Sequence, residues 1–340
     1  MRYGRKAKIW QGKQQSLIIL LVVLLACAIF ASIFLGVKDI SLKDVLYATF
    51  SQQNTEPLIN SIVHKRLIRT IFGLLCGSSL GVAAAMMQSV TRNPLADPSI
   101  LGINTGAAFF VVLGIAFWKV SSAWQYITLA LIGACVAAIL VFGIIAFGRK
   151  VDPLRLILSG TAVGIMFSSL VTTVILIKQE AMDQFRFWQV GSLGAAGEKD
   201  LLIFMPIFVV GVILAWGCAP ALNTLLLGED VARNLGVNVI VASLIACISG
   251  VVLCAVTTAF AGPIAFIGLL ATHCSRLLFG SDQKKLVPLC GLTGALFLTI
   301  ADVIGRLVSP SAEINVGTIT ALVGAPLLIY LARRMKVRAL

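Results

Sequence analysis

Residues that could do chemistry are few in this chain and lie far apart. There are only two histidines, His64 and His273, and the eight cysteines form no CxxC pair. A metal centre needs such groups at ligand spacing, so we expect no bound metal and interpret the cysteines as small packing residues. The chain also lacks a GxxxxGK[ST] phosphate loop and is not expected to bind ATP in that manner.

Ionisable residues are absent from the middle of the long apolar segments. The acidic residues Asp97, Asp152 and Asp302 all fall near segment ends, as does Arg306. Carriers driven by protons or sodium usually hold a buried carboxylate or an unwound ion site in mid-membrane. This pattern argues against a self-sufficient secondary carrier, and the lack of a polar catalytic cluster argues against a membrane-embedded enzyme. If the protein performs work, its energy must come from a partner.

One short polar segment, Leu222–Gly236, has helix signals of its own between two apolar segments. Glu229 and Asp230 follow Gly228, where a short helix would have its positive end, and Gly236 provides a C-terminal stop. The pattern predicts a short surface helix.

This helix is predicted to be amphipathic. Leu227, Val231 and Leu235 recur every four residues and form an apolar stripe. Glu229 precedes Arg233 by four residues, the favourable order for an exposed ion pair. An apolar stripe on a surface helix requires a cover, which indicates a docking surface.

The elements around this segment are membrane helices. Apolar residues make up 59% of the 340 residues and charged residues 12%, far from the roughly 25% charged of a soluble domain, and the mean hydropathy is +1.00. About 20 apolar residues span a bilayer as a helix. We predict ten segments: Leu17–Val37, Leu67–Val90, Pro98–Phe117, Ala123–Phe147, Leu154–Ile177, Leu201–Ala219, Val239–Ala259, Ile264–Leu278, Leu286–Ile304 and Ile314–Ala332.

Lysine and arginine are in excess on the side that holds the N-terminus, which predicts that both termini and the Leu222–Gly236 segment are cytoplasmic. The net charge of +13 is therefore a topology signal rather than a sign of nucleic-acid binding. The first apolar segment has no convincing cleavage site and is interpreted as a retained span.

The two halves of the chain share a weak, ordered repeat. Gly81 and Pro94 align with Gly250 and Pro263, in segments of opposite predicted direction, which favours an inverted repeat of the kind found in transporters. Small residues at four-residue spacing, such as Gly160, Gly164 and Ser168, allow close helix packing. The same residues could line a wide path, and the sequence does not separate these roles.

Cations cluster at the outer end of the second segment, against the positive-inside trend. Lys65, Arg66 and Arg69 lie at the positive end of that helix, and Arg306 closes the ninth segment on the same side. Two interpretations stay open here: the side chains reach lipid phosphates, or they form a basic rim for an acidic partner.

Four motifs in order are specific enough to indicate a family. The run RLIRTIFGLLCGSSLGVAAAMMQSVTRNPLADPSILGINTGAA (Arg66–Ala108) resembles the permease subunits of iron-siderophore and vitamin B12 ABC importers. The resemblance continues through Leu225–Val237, Ala261–Asp282 and Ala301–Leu331, and so covers essentially the whole chain.

The resemblance implies an all-α integral membrane protein of the type II ABC importer permease fold, with about ten transmembrane helices in inverted halves and residues 1–340 forming a single domain. It implies a second permease subunit, identical or paralogous, two cytoplasmic ATP-binding subunits that hold ATP and Mg, and an extracytoplasmic substrate-binding protein, all at a bacterial cytoplasmic membrane. No cofactor is expected on this chain. A ferric siderophore is the expected substrate, with haem and cobalamin as alternatives.

The resemblance also assigns roles to residues. Coupling to the ATPase is expected of the segment around 222–236, by Leu227, Gly228, Glu229, Asp230, Val231, Arg233, Leu235 and Gly236. Docking of the binding protein is expected at Arg66, Arg69 and Arg306. The gate and the path are expected at Asp152, Pro153, Ser159, Gly160, Gly164 and Ser168. The chain departs from the family where Ile68 and Thr272 replace frequent prolines, and where the gate pair is Asp-Pro rather than small hydroxyl residues.

Overall fold

The computed structural model describes residues 2–36, 40–41, 44–45, 57–146, 153–194, 197–308 and 314–334. The long regular elements of these residues are all helices, in agreement with the expected all-α class. In chain order they are α1 (Arg2–Phe34), α2 (Pro57–Thr91), a 3-10 turn (Pro98–Leu101), α3 (Ile103–Trp118), α4 (Ala123–Ala146), α5 (Pro153–Ile177), α6 (Glu180–Gln189), α7 (Glu198–Leu225), α8 (Glu229–Asn234), α9 (Val239–Ala261), α10 (Ile267–Phe279), α11 (Gln283–Val308) and α12 (Val316–Arg334).

Seven of the described helices are long and apolar enough to cross a membrane, and three shorter apolar helices accompany them. The three are α3, α10 and the apolar part of α12, Val316–Leu327. Each of these helices overlaps one of the ten predicted segments, which confirms a multi-pass membrane protein. Helix α2 begins at Pro57 rather than at Leu67, so the prediction that Lys65, Arg66 and Arg69 lie at its positive end is wrong. At 13 residues, α10 is about 20 Å long, too short to span alone as expected, so the count of ten crossings stays a prediction.

Helix α2 forms the centre of the structure. Of its most apolar stretch 83% is buried, against 17% for α1. Its most extensive contact is with α11, where the helices meet at Gly77 and Gly294 so closely that a Cβ on either glycine would overlap the other's carbonyl oxygen. The packing role expected of small residues is therefore observed in α2, because only glycine permits this approach.

The predicted repeat is visible in the order of elements. Each half has a long helix, a break that contains a proline, and a shorter helix: α2, Pro94 and α3 in the first half, and α9, Pro263 and α10 in the second. Both breaks end in a left-handed residue, Gly102 with φ 72° and Phe266 with φ 70°. The inverted relation of the halves stays a prediction.

Candidate functional site

The short helix predicted from the amphipathic segment is α8. It begins after Gly228, whose φ of 117° favours glycine, and Gly236 follows it with φ 81°. The N-terminal part of the segment belongs to the last turn of α7, which ends at Leu225. The predicted start and stop signals of the helix are therefore confirmed.

The apolar stripe of α8 points away from the rest of the chain. Leu227, Val231 and Leu235 are 68%, 43% and 62% exposed, whereas Ala232 is completely buried. We call Leu227, Val231 and Leu235 the coupling surface. Because Ala232 packs the opposite side of this short helix against the rest of the chain, the coupling surface faces outward.

Contacts to neighbouring elements hold α8 in place. The predicted ion pair of Glu229 with Arg233 is present at 3.7 Å, and Glu229 also lies 3.3 Å from Arg92, just beyond the end of α2. The backbone N–H of Val237 donates to the carbonyl of Ala232 at 3.0 Å. Sequence spacing revealed the first pair but not the second, since Arg92 lies far away in the chain. The pair of Glu229 with Arg92 joins α8 to the residue that follows the central helix α2.

The end of α7 is also fastened to the start of α11. The Asn223 side chain donates to Asp282 Oδ1 at 2.7 Å and accepts from the backbone N–H of Gln283 at 2.7 Å. Neither Asn223 nor Asp282 was singled out by sequence reasoning. Their contacts fix the helix that leads into α8.

The outer arginines lie inside the protein rather than on an open rim. Arg66 and Arg306 are 7% and 3% exposed. Arg66 donates to the carbonyls of residues 33 and 34 at 3.2 and 3.1 Å, and Arg306 donates to those of residues 32 and 35 at 3.0 and 3.3 Å. These are carbonyls at the C-terminal end of α1, which have no partner within their own helix. The two guanidinium groups therefore cap α1.

Asp302 provides one negative charge to this cluster of arginines. Its carboxylate accepts two hydrogen bonds from Arg69 Nε and Nη2, at 3.0 and 2.8 Å, and lies 3.2 Å from Arg306 Nε. The side chain of Asp302 is 2% exposed. Sequence reasoning missed this role, although the four-residue spacing of Asp302 and Arg306 on one helix was a usable signal. The open rim expected at these arginines is not the arrangement observed, because their groups are engaged within the chain.

The expected path residues divide between packing and exposure. Asp152 lies outside the described residues, and Pro153 is the first residue of α5. A Cβ on Gly102 would lie 3.1 Å from Gly164 N and 3.3 Å from Gly160 O, so both glycines of α5 serve close packing. Ser159 is buried and Ser168 is exposed.

Ser168 belongs to a group of hydroxyl residues of α5 that sequence reasoning did not identify, on a side of the helix that also exposes Ile165 and Leu176. Its members are exposed hydroxyl residues near one another on the helix, and we call them the hydroxyl face: Thr161, Ser168, Ser169, Thr172 and Thr173. All but Ser168 donate to the carbonyl four residues earlier, at 2.8 to 3.0 Å. Their oxygens keep acceptor capacity. The helical spacing of these residues was the signal that could have identified the face.

Metal ligands are not gathered anywhere in the described ranges, where no group of three or more His, Cys, Asp or Glu could hold an ion. All eight cysteines are free. What the described geometry offers is an exposed apolar surface at a braced helix, a group of exposed hydroxyl residues on a membrane helix and a buried charge cluster. These features suit conformational coupling and passage of a solute rather than bond-making chemistry.

Comparison with known proteins identifies the chain's relatives. The model of the FecCD transport family matches residues 22–334. The ferric enterobactin transport system permease protein of Escherichia coli strain K12 is 40% identical over 320 residues, covering 92% of this chain and 94% of that protein. The cobalamin import system permease protein of Halobacterium salinarum is 35% identical over 275 residues, covering 81% of this chain and 74% of that protein.

A solved structure agrees with these relatives. It is described as an inward-facing conformation of an ABC transporter of the metal-chelate type, has a TM-score of 0.80 and 30% identity to this chain, and the match covers 95% of this chain and 100% of that one. Fold, relatives and family model all lead to one conclusion. The chain belongs to the FecCD transport family and is a membrane-embedded permease of an ABC importer.

Proposed function

We propose that this permease moves a ferric siderophore across the bacterial cytoplasmic membrane, driven by ATP hydrolysis in two separate cytoplasmic subunits. The observation that carries the driving mechanism is the coupling surface: three exposed apolar side chains on and beside a helix of six residues whose opposite side is buried. The ferric enterobactin permease, similar over 92% of this chain, supports the substrate class.

The coupling surface is the proposed seat of the ATP-binding subunit. Burying Leu227, Val231 and Leu235 would gain about 1.5–3 kcal/mol for each fully covered side chain. The Glu229–Arg92 pair would then pass a displacement of α8 to α2. Both termini and α8 are assigned to the cytoplasm because lysine and arginine are in excess on that side.

The proposed path lies between two permease subunits, identical or paralogous, with the hydroxyl face of α5 along it. Hydroxyl groups offer several weak hydrogen bonds and no fixed charge. A site of this kind binds well enough for entry and weakly enough for release, which transport requires. The Asp152–Pro153 pair at the start of α5 is assigned to the cytoplasmic gate.

Docking of an extracytoplasmic substrate-binding protein is proposed at the outer cluster of Arg66, Arg69 and Arg306. Since these guanidinium groups already bind Asp302 and the end of α1, an incoming carboxylate would have to compete with partners in this chain. Docking would therefore alter the hydrogen bonds between these arginines and the end of α1, as well as add a contact with the binding protein.

The substrate is tested by reconstituting the permease in vesicles with its ATP-binding subunits and its binding protein. Uptake of radioactive iron as ferric enterobactin is compared with uptake of labelled cobalamin and haem, with and without ATP. We expect ATP-dependent uptake of the ferric siderophore. If cobalamin or haem were taken up and ferric enterobactin were not, the substrate assignment would change to that compound. Of these two alternatives, cobalamin is supported by the 35% identical relative. Uptake without nucleotide would contradict an ATP-driven importer.

A further inference from the structure

Arg276 in the last turn of α10 has an unmet bonding requirement. Its Nε is buried and has no hydrogen-bond partner among the described residues. No described carboxylate lies within 4.0 Å of its guanidinium either. Leaving a buried charged donor unpaired is costly, so an anion from outside the chain would complete this site.

The depth of Arg276 follows from its neighbour α1. The apolar run of α1 begins at Leu17, and Gln14 Nε2, one turn earlier, donates to the carbonyl of Phe279 at the end of α10 at 3.4 Å. The polar turn before this apolar run and the end of α10 therefore lie at the same level. Arg276 precedes Phe279 by three residues, about 4.5 Å further into the membrane. This is the level at which the apolar run of α1 begins, and from there an arginine side chain can extend outward to lipid phosphates.

More positive charge surrounds this level. Lys284 and Lys285 are exposed in the first turn of α11, where the helix dipole disfavours cations. The nearby carboxylate of Asp282 is bound to Asn223. The side chains described at the junction of α10 and α11 are thus predominantly basic.

Apolar surface lies directly beside these charges. Leu277 and Leu278, adjacent to Arg276 in the chain, are 73% and 44% exposed. A ligand that fits must combine a phosphate group with hydrocarbon. A free phosphate would leave the apolar surface uncovered, and a soluble protein would not reach a residue within the membrane level.

We propose that Arg276, with Lys284 and Lys285, binds the headgroup phosphate of an anionic phospholipid whose acyl chains lie against α1 and α10. Clusters of cations at the end of membrane helices, and basic pockets between them, are suited to such headgroups. The bound lipid would fill the junction where α1, otherwise mostly exposed to the bilayer, contacts α10 and α11.

Native mass spectrometry of the purified full-length chain tests this site. Phosphatidylglycerol and phosphatidylcholine with identical acyl chains are titrated, and we expect phosphatidylglycerol to be retained preferentially. Arg276→Gln should weaken its affinity by about tenfold, the equivalent of one charged hydrogen bond, and Arg276→Lys by less. Arg233→Gln, at an exposed arginine of α8, is the matched control and should have no effect.

Four results would overturn the proposal. They are equal retention of the two lipids, an unchanged preference in Arg276→Gln, displacement of the lipid by inorganic phosphate as readily as by lipid, and displacement by the ATP-binding subunit. The last would identify a protein as the occupant. If Arg276→Gln does not fold, the double variant Lys284→Gln with Lys285→Gln, at exposed positions, takes its place. It should lower phosphatidylglycerol affinity by about thirtyfold through the loss of two lysines, and no change there would also reject the site.

Discussion

Asp302→Asn should destabilise the permease, because Asp302 is the shared counter-charge of Arg69 and Arg306. The side chains of Asp302 and Arg306 are 2% and 3% exposed, so water cannot replace the lost charge. Breaking a buried ion pair by removing one partner costs about 3–5 kcal/mol. Arg69 is 13% exposed and can turn partly towards solvent, which places the expected loss near about 3 kcal/mol.

The assay is equilibrium unfolding of the purified permease in mixed micelles, which gives the free energy of unfolding. The control is Asp183→Asn, the same chemical change at an exposed pair, where Asp183 and Arg186 lie 3.8 Å apart. Such surface pairs contribute about 0–1 kcal/mol. A loss in Asp302→Asn no larger than that in the control would refute the role given to Asp302.

Hydrogen exchange shows where in the molecule the Asp302→Asn substitution loosens the structure. Arg306 caps the end of α1 through the carbonyl and hydroxyl of Ser32, at 3.0 and 2.8 Å. If Asp302 positions Arg306, hydrogen exchange in Asp302→Asn should rise in the last turn of α1, including the amide of Leu35, which is bonded to Ala31. Increased exchange throughout the molecule, without enrichment at that turn, would indicate general destabilisation instead of a lost cap.

Three further predictions concern other contacts. Leu235→Asp should release or uncouple the ATP-binding subunit in a pull-down and ATPase assay, whereas Leu235→Met, which keeps the apolar surface, should leave both unchanged; full coupling in the aspartate variant would contradict the docking role. Gly77→Ala should lower the free energy of unfolding by about 1–3 kcal/mol through overpacking against Gly294, while Gly217→Ala, whose Cβ would meet nothing within 4 Å, should not; equal effects would refute the close contact. Ser168→Phe should block uptake in reconstituted vesicles, whereas Leu202→Phe, at a residue 75% exposed on α7, should not; normal uptake in the first variant would remove the hydroxyl face from the path.

Local signals in the sequence were sufficient to predict α8. Gly228 and Gly236 mark its ends because their positive φ angles are costly for other residues. The four-residue spacing of Leu227, Val231 and Leu235 places the stripe on one side. The membrane helices were predictable for a similar reason, since length and apolar composition are read within a single segment.

Contacts between distant segments were not predictable in this way. The position of Arg66 near the end of a span is legible, but its partner is the carbonyl end of α1, which carries no side-chain signal. The roles of Gly160 and Gly164 likewise depended on a third glycine, Gly102, that lies across the helix contact. Small residues are suited both to close helix packing and to lining a substrate path. Only the residue on the facing helix determines which of these roles they have.

Helix α2 connects the two regions that this permease would have to coordinate. Arg66 and Arg69 lie towards one end of it, in the cluster with Asp302, and Arg92 just beyond the other end pairs with Glu229 of α8. Its 35 residues extend about 52 Å through the buried centre, so one continuous helix runs between the two regions. The effect of Asp302→Asn on coupling therefore carries separate information from its effect on stability. If α2 transmits the signal, the variant should change the stimulation of ATP hydrolysis by the binding protein at temperatures where it is fully folded, and unchanged stimulation there would mean that the outer cluster only supports the fold.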